Sequence, residues 1–280
     1  MKNYYFISDA HLGCRAFEHR RTKERRLVNF LDAIKEKAEA VFMLGDIFDF
    51  WFEYKNVVPK GFTRVLGKIC ELTDRGVEVH FFQGTHDMWC EDYLEKECGV
   101  ILHKSTCTIE LCGKVFYLAH GHKLDKVDDN WKTRFMFTCF ESRTLRKIAK
   151  WIHPRWFISF GYRWAESSRK KHFAPKPFLG EDKEGLVLFA KDYLKTHPDI
   201  NYFLFGHRHI EVDIYLEEEE KVRRREDEKA YRRDNEDVLA SMKHGCRLMI
   251  LGNWYDLFTY AVFDGEDLFM ERYVEGETEV

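Results

Sequence analysis

Five short segments of this chain place metal-ligand residue types directly behind apolar, β-prone runs: Asp9-Ala10-His11, Gly45-Asp46 with Asp49 close by, Gly84-Thr85-His86-Asp87, His120-Gly121-His122 and Gly206-His207-Arg208-His209. Singly, each has an ordinary reading. An Asp-x-His pair arises by chance, and a histidine such as His122 can be a satisfied surface residue. Together they supply carboxylates and imidazoles for two cations roughly 3.5–4 Å apart, a pairing that activates water and neutralises charge in displacement at phosphorus. Two such ions need a bridging carboxylate, and Asp46, at the end of a rigid apolar strand, is the obvious one. Asp9, His11 and His209 then complete one ion, while His120, His207 and a residue of the Gly84 loop complete the other. Mixed imidazole and carboxylate donors suit Mn, Fe or Zn better than Mg or Ca, which prefer oxygen alone.

The elements that must hold these residues follow from hydrophobic period. Tyr4–Ser8 forms a first strand, and the stripe Leu27, Phe30, Leu31, Ile34, Ala38 forms a helix over His19–Ala38, making a right-handed βαβ crossover into the run that starts at Val41 and ends at Gly45-Asp46. A second stripe, Phe62, Val65, Leu66, Ile69, Leu72, closes at Gly76 and leads into a strand over Val77–Phe82. Thr106–Leu111 and Lys114–Ala119 form a hairpin about Cys112-Gly113. Leu186, Phe189, Ala190, Tyr193 and Leu194 mark a helix over Glu184–Leu194; Asn201–Phe205, Glu211–Leu216 and Gly245–Gly252 are strands, and Phe258–Phe263 with Leu268–Tyr273 closes the fold as a hairpin at Asp264-Gly265. Every candidate ligand therefore sits at the C-terminal end of a strand, where open α/β sheets bind ligands.

Two stretches differ in texture. From Asp128 to Phe173, aromatic residues including Trp131, Phe135, Trp151, Trp156 and Phe160 alternate with Arg and Lys, and acids are nearly absent. A helical lid that meets an anionic amphiphile or an anionic membrane surface accounts for both features. Glu217 to Asp237 is a dense alternation of both charge signs and reads as a solvated excursion. The 280 residues are expected to form one domain carrying these two insertions. A net charge of -3 argues against a general polyanion-binding protein, nucleic acid included. The eight cysteines contain no C-x-x-C pair and read as reduced thiols. With no secretory signal or membrane-spanning run, a cytoplasmic location with peripheral membrane contact is expected.

The ordered set D-x-H, G-D-x-x-D, G-x-H-D, H-G and G-H-x-H resembles the calcineurin-like metallophosphoesterase family over nearly the whole chain. Within it, the chain is most similar to the UDP-2,3-diacylglucosamine hydrolases of lipid A synthesis, through His120-Gly121 followed by Asp128-Asp129, the basic and aromatic insertion ending near Ser167-Ser168-Arg169, Leu251-Gly252-Asn253-Trp254 and Thr259-Tyr260. The resemblance implies a four-layer αββα sandwich with two facing mixed sheets and a helical lid. It implies two divalent metals, Mn²⁺ by preference, on Asp9, His11, Asp46, Thr85, His120, His207 and His209. His86, oriented by Asp87, would stabilise the transition state or protonate the leaving group. Asp128, Arg163, Ser167, Arg169 and Lys170 would contact substrate. The implied reaction splits the pyrophosphate of a UDP-linked glycolipid at the inner-membrane surface, giving UMP and 2,3-diacylglucosamine 1-phosphate.

The chain departs from the family pattern twice. Thr85 stands where Asn is usual and His122 where Asp is expected after His-Gly. A threonine hydroxyl is shorter than an asparagine amide, so the second ion is expected to be held less tightly, with His122 as a candidate replacement donor. Two other functions stay open at this level: a metallophosphoesterase acting on soluble nucleotides, phosphoproteins or nucleic acid, and a ligand-binding protein with an impaired second metal site.

Overall fold

The computed structural model describes residues 2–15, 20–125, 138–172, 177–216 and 245–275, with the side chains of residues 20 and 168–172 left out. Asp128, Trp131, Phe135 and the 217–237 charge run lie outside the described residues, as do the side chains of Arg169 and Lys170.

Two sheets carry the described fold. In the first, β1 (Asn3–Ile7), β2 (Ala38–Met43), β3 (Glu78–Phe82) and β4 (Ile101–His103) run parallel, β10 (Thr259–Phe263) pairs antiparallel with β1 and β11 (Leu268–Arg272) antiparallel with β10, in the order β11-β10-β1-β2-β3-β4. In the second, the order is β5 (Cys107–Leu111), β6 (Lys114–Ala119), β7 (Tyr202–Phe205), β9 (Cys246–Leu251) and β8 (Glu211–Leu216), with β6, β7 and β9 parallel. Phe6, Phe42 and Phe82 from the first sheet meet Phe116, Leu118, Leu204 and Met249 from the second in a buried layer between them. The outer face of the first sheet is covered by α1 (Arg20–Ile34), α2 (Thr63–Asp74) and α3 (Tyr93–Cys98), through residues such as Leu27, Phe30, Ile69 and Leu94. The outer face of the second is covered by α6 (Gly185–Leu194), through Leu186, Val187 and Ala190. This is the expected αββα layering.

Between β6 and β7 in sequence, ahead of α6, stand α4 (Arg143–Ala149) and α5 (Pro154–His172). Their apolar side faces the loops after β2 and β3: Phe50, Phe52, Met88 and Trp89 form a buried cluster against Phe140, Ala149, Phe157 and Tyr162. Gly161 makes this docking possible, because a Cβ there would overlap the Phe50 ring.

Two expectations about elements need correction. Ala38 belongs to β2, not to the preceding helix, which stops at Ile34; Lys37 N–H bonds back to the Ile34 carbonyl at 2.9 Å, and the buried alanine begins the strand. The helical period simply coincided with a strand's first inward residue. The chain also makes α3 and β4, which no pattern had suggested, since six and three residues are too short to show a period.

Candidate metal centre

The parallel strands deliver their C-terminal ends to one edge of the sandwich. Asp9 follows β1, Asp46 follows β2, the Gly84 loop follows β3, His120 follows β6, and His207 and His209 follow β7. The close approach needs glycine: a Cβ on Gly84 would strike the Asp46 carboxylate, and one on Gly206 would strike Ser8 Oγ. Asp9, His11, Asp46, His207 and His209 all adopt left-handed backbone, with φ of 56°, 45°, 53°, 69° and 55°. Non-glycine residues held there cost on the order of 1–3 kcal/mol each and concentrate where function fixes the geometry.

The donor atoms converge. His209 Nε2 is 3.0 Å from Asp9 Oδ1 and 3.2 Å from His11 Nε2, and His11 Nε2 is 3.6 Å from Asp9 Oδ1 and 3.8 Å from Asp46 Oδ2. On the other side His120 Nε2 is 3.3 Å from the same Asp46 Oδ2 and 3.5 Å from Thr85 Oγ1. Two donors each about 2.1 Å from one ion at a right angle stand about 3.0 Å apart, so these spacings suit shared cations. Asp46 Oδ2 faces both histidine groups, as a bridging oxygen must.

Proton positions support the same conclusion. His120 Nδ1 lies 2.8 Å from the Leu44 carbonyl, which only accepts, so Nδ1 carries the hydrogen and a neutral ring turns its bare Nε2 towards a carboxylate. Nε2 and Asp46 Oδ2 therefore need a cation or a proton between them. Burial opposes a charge on His120, yet the Asp46 and Asp9 carboxylates overcome it and push the ring up to about 10; a proton there takes the place an ion would hold. Burial and the neighbouring His120 push His207 down to about 3, leaving it neutral with a donor pair available. Burial works to raise the Asp9 and Asp46 carboxyls, but the surrounding imidazoles hold both well below the usual carboxylate range.

His207 lies beside His120, ring centroids 5.3 Å apart, and its backbone N–H donates to Asp9 Oδ2 at 2.9 Å. The His122 ring centroid lies 5.4 Å from that of His120 and 6.2 Å from that of His207. His86 reaches the centre from the β3 side, its ring edge-on to His11 at 5.0 Å. Its orientation corrects an expectation: the Asp49 carbonyl, not the Asp87 carboxylate, takes the Nδ1 hydrogen of His86, at 2.8 Å. Asp87 instead accepts backbone N–H from Gly84 at 2.7 Å, Asp46 at 3.2 Å, Ile47 at 2.8 Å and Phe48 at 3.3 Å, which ties the loops after β2 and β3 together. A fully buried carboxylate engaged this way holds ligands in place and does not meet substrate.

Three supports lie outside the expected ligand set. Asp49 Oδ1 stands 3.7 Å from His11 Nδ1 and forms a second potential ligand group with His11 and His86; its spacing of three from Asp46 was the available signal. The Tyr255 hydroxyl holds His209 Nδ1 at 2.9 Å, with no sequence signal at all. Arg208 makes a buried two-point contact with Glu184, at 2.6 and 3.2 Å, fastening the Gly206 loop to the start of α6. Arg163 and Ser167, expected at the substrate, are exposed on α5, and Arg163 donates to the carbonyl of Ser159 in its own helix.

The calcineurin-like phosphoesterase family profile matches residues 3–211. The chain belongs to that family. A Porphyromonas gingivalis protein named UDP-2,3-diacylglucosamine hydrolase is 38% identical over 280 residues, covering 95% of this chain and 96% of its own. One of the same name from Vibrio parahaemolyticus is 30% identical over 213 residues, 73% of this chain and 80% of its own. Among solved structures, a phosphoesterase from E. coli aligns at a TM-score of 0.41 and 12% identity, covering 95% of this chain and 90% of that one. As in other calcineurin-like phosphoesterases, the centre is built for divalent metal.

Next to the metal centre an apolar cavity of about 190 Å³ opens between the β2 loop and α4–α5, lined by Phe50, Phe52, Trp89, Phe140, Phe157 and Trp164 among others. Trp164 also packs on His86, ring centroids 5.5 Å apart. Of the aromatic residues expected to form a lid, Phe160 lines this cavity, whereas Trp151 and Trp156 point to solvent at 91% and 70% exposure.

Proposed function

We propose that this chain hydrolyses the pyrophosphate of UDP-2,3-diacylglucosamine, releasing UMP and 2,3-diacylglucosamine 1-phosphate. The observation that carries the reading is the contact of Trp164 with His86: an apolar cavity of acyl-chain character abuts a phosphoesterase centre through a single shared wall. The near full-length relative of that name supports it. Each acyl CH₂ buried is worth about 0.8 kcal/mol, so even partial occupancy of the cavity outweighs most polar contacts in substrate affinity.

When bound, two divalent cations, Mn²⁺ by preference for these donors, would supply a lowered water pKa and neutralise charge on the phosphoryl oxygens. Asp9, His11, Asp46 and His209 would hold one, and Asp46, His120, His207 and Thr85 the other. The protein's own part is positional. Asp46 would fix the spacing, and His86, with its Nδ1 hydrogen committed to the Asp49 carbonyl, would donate from Nε2 to the phosphoryl group or leaving oxygen as the imidazolium. Trp164 and Phe50 keep water from the lipid side.

The exposed Trp151, Trp156 and Phe160, flanked by Arg143, Arg146, Lys147, Lys150 and Arg155, give α4–α5 the composition of a peripheral contact with an anionic leaflet, consistent with a substrate that resides at the cytoplasmic side of the inner membrane. No helix among the described residues is long and apolar enough to cross a membrane.

Purified protein with Mn²⁺ should release UMP from UDP-2,3-diacylglucosamine and stop on chelation. Equal turnover of UDP-N-acetylglucosamine, which lacks long acyl chains, would refute the lipid reading.

A further inference from the structure

The Leu251-Gly252-Asn253-Trp254 motif opens the loop between β9 and β10, with Asn253 lying 44 positions beyond His209. Asn253 is buried, and its Oδ1 accepts backbone N–H from Tyr255 at 3.3 Å, Asp256 at 2.8 Å and Leu257 at 3.1 Å, which folds the loop into a tight turn. Its Nδ2 donates to the His209 carbonyl at 3.5 Å, and the Trp254 N–H donates to the Asp9 carbonyl at 3.1 Å. The Trp254 ring is buried against Phe30, with ring centroids 4.7 Å apart, so the loop is anchored in the core. Next in the chain, Tyr255 sets its hydroxyl 2.9 Å from His209 Nδ1 and its ring edge-on to His11 at 6.0 Å. One loop thus reaches Asp9, His11 and His209, all three from the ligand set of the first ion.

Asp9 Oδ1, which stands 3.0 Å from His209 Nε2, is buried and has no hydrogen-bond partner among the described residues. An oxygen left in that state beside an imidazole nitrogen suits a cation that both atoms share. For Nε2 to ligate it must be bare, and the ring hydrogen must then sit on Nδ1. There the Tyr255 oxygen is the acceptor. We infer that Tyr255 is the positioning residue of the first ion, fixing the ring and the tautomer with which His209 meets it. The inference rests on the reading that Asp9, His11, Asp46 and His209 hold a divalent cation, and it needs no particular substrate. The second ion is served differently, since the main-chain carbonyl of Leu44 takes the Nδ1 hydrogen of His120 at 2.8 Å. A side-chain substitution removes a phenol but not a backbone acceptor, so one change at Tyr255 should separate the two ions.

The experiment titrates the metal-free full chain with Mn²⁺, reading the free ion by electron paramagnetic resonance, in wild type and Tyr255→Phe, each with and without His120→Ala. Tyr255→Phe keeps the ring and removes only the oxygen. It should weaken one of two manganese equivalents by on the order of 10–100-fold, the usual effect of removing a ligand's hydrogen-bond partner, and leave the other within about twofold. With His120→Ala disabling the second site, the remaining equivalent should show the same loss. Nitrogen-15 spectra of the Zn²⁺-loaded protein, assigned through His209→Gln and His120→Gln, supply a readout that a purely structural role would not move. The slowly exchanging Nδ1–H of His209 should vanish in Tyr255→Phe, while that of His120 persists. Two equivalents of unchanged affinity, a parallel loss of both, or an unaltered His209 Nδ1–H signal would overturn the assignment. Wild type that binds no manganese would instead overturn the metal centre itself, and the inference with it.

Discussion

Asp9, Asp46, Asp87 and His120 lie in loops leaving the strands and are at most 3% exposed, while Trp151, on the turn after α4, is 91% exposed and α4 itself contains no buried residue. The two regions border one cleft. The first is fixed by backbone: left-handed residues, glycines in close approach and a carboxylate tied to several N–H groups leave each ligand one position. The second is fixed by side chains on a single aromatic cluster around Phe50, Phe52 and Trp89. Chemistry at phosphorus tolerates little misplacement, whereas acyl chains need only a continuous apolar wall. The difference in construction follows the difference in task.

Four measurements would break or sharpen this contrast. Asp46→Ala should have the largest effect, because one oxygen faces both histidine groups: activity should fall by more than about 100-fold, above the range typical of outer-shell groups, with most bound metal lost by elemental analysis. Retained activity in chelator would show that the cradle is not a metal centre.

Gly161→Val comes next. The added side chain meets the Phe50 ring, and overpacking of this kind costs about 1–3 kcal/mol. KM for the lipid substrate should rise by about tenfold or more while metal content stays constant. A loss of metal instead would mean that the two regions are mechanically one.

Thr85→Asn tests a smaller difference within the cradle. With Thr85 Oγ1 at 3.5 Å from His120 Nε2, the hydroxyl already faces the second ion's position, and a longer amide should tighten that ion by up to about tenfold in a manganese titration. Weaker binding would indicate that His122 has completed the shell and that Asn crowds it.

The smallest effect lies away from both regions. His80 and His103 are joined at 2.9 Å between Nδ1 and Nε2 and stack on Phe42 and Phe82, with centroid distances of 4.3 Å to each phenyl ring. Burial, with His80 beside it, pushes His103 from its ordinary 6.5 down to about 4, and burial lowers His80 as well. Both rings therefore stay neutral in the folded chain at pH values where the unfolded chain already takes up protons. Stability present above pH 6.5 should be lost progressively as pH falls towards 4, read from urea midpoints, and His80→Phe/His103→Phe should flatten that slope. An unchanged slope in the double variant would show that carboxylates alone set acid stability.

Much of the cradle was legible because its residues follow apolar runs long enough to show a period, as with Tyr4–Ser8 before Asp9 and Asn201–Phe205 before His207. Asp87 was misjudged because sequence shows a carboxylate beside a histidine but not the backbone N–H groups from the β2 loop that occupy it. Tyr255 was invisible for a related reason: its contact with His209 spans 46 positions and leaves no local pattern. The aromatic stripe in α5 was visible as a pattern, but helical spacing alone could not say that Phe157 and Trp164 turn inward while Trp156 faces solvent. That choice depends on where Gly161 lets the helix touch Phe50.

Arg146 lines both the apolar cavity and a basic one of about 700 Å³ that takes in Lys104, Lys123, Arg143, Lys147 and Lys150, so the two lie side by side along α4. A ligand with an apolar half and an anionic half would be bivalent here. Once one half is seated, the other meets its pocket at the effective concentration set by a short tether, of millimolar order, and avidity exceeds what either half could reach. Hydrolysis cuts the tether. Each half would then return to its own single-pocket affinity, so retention before cleavage and discharge after it would both follow from connectivity.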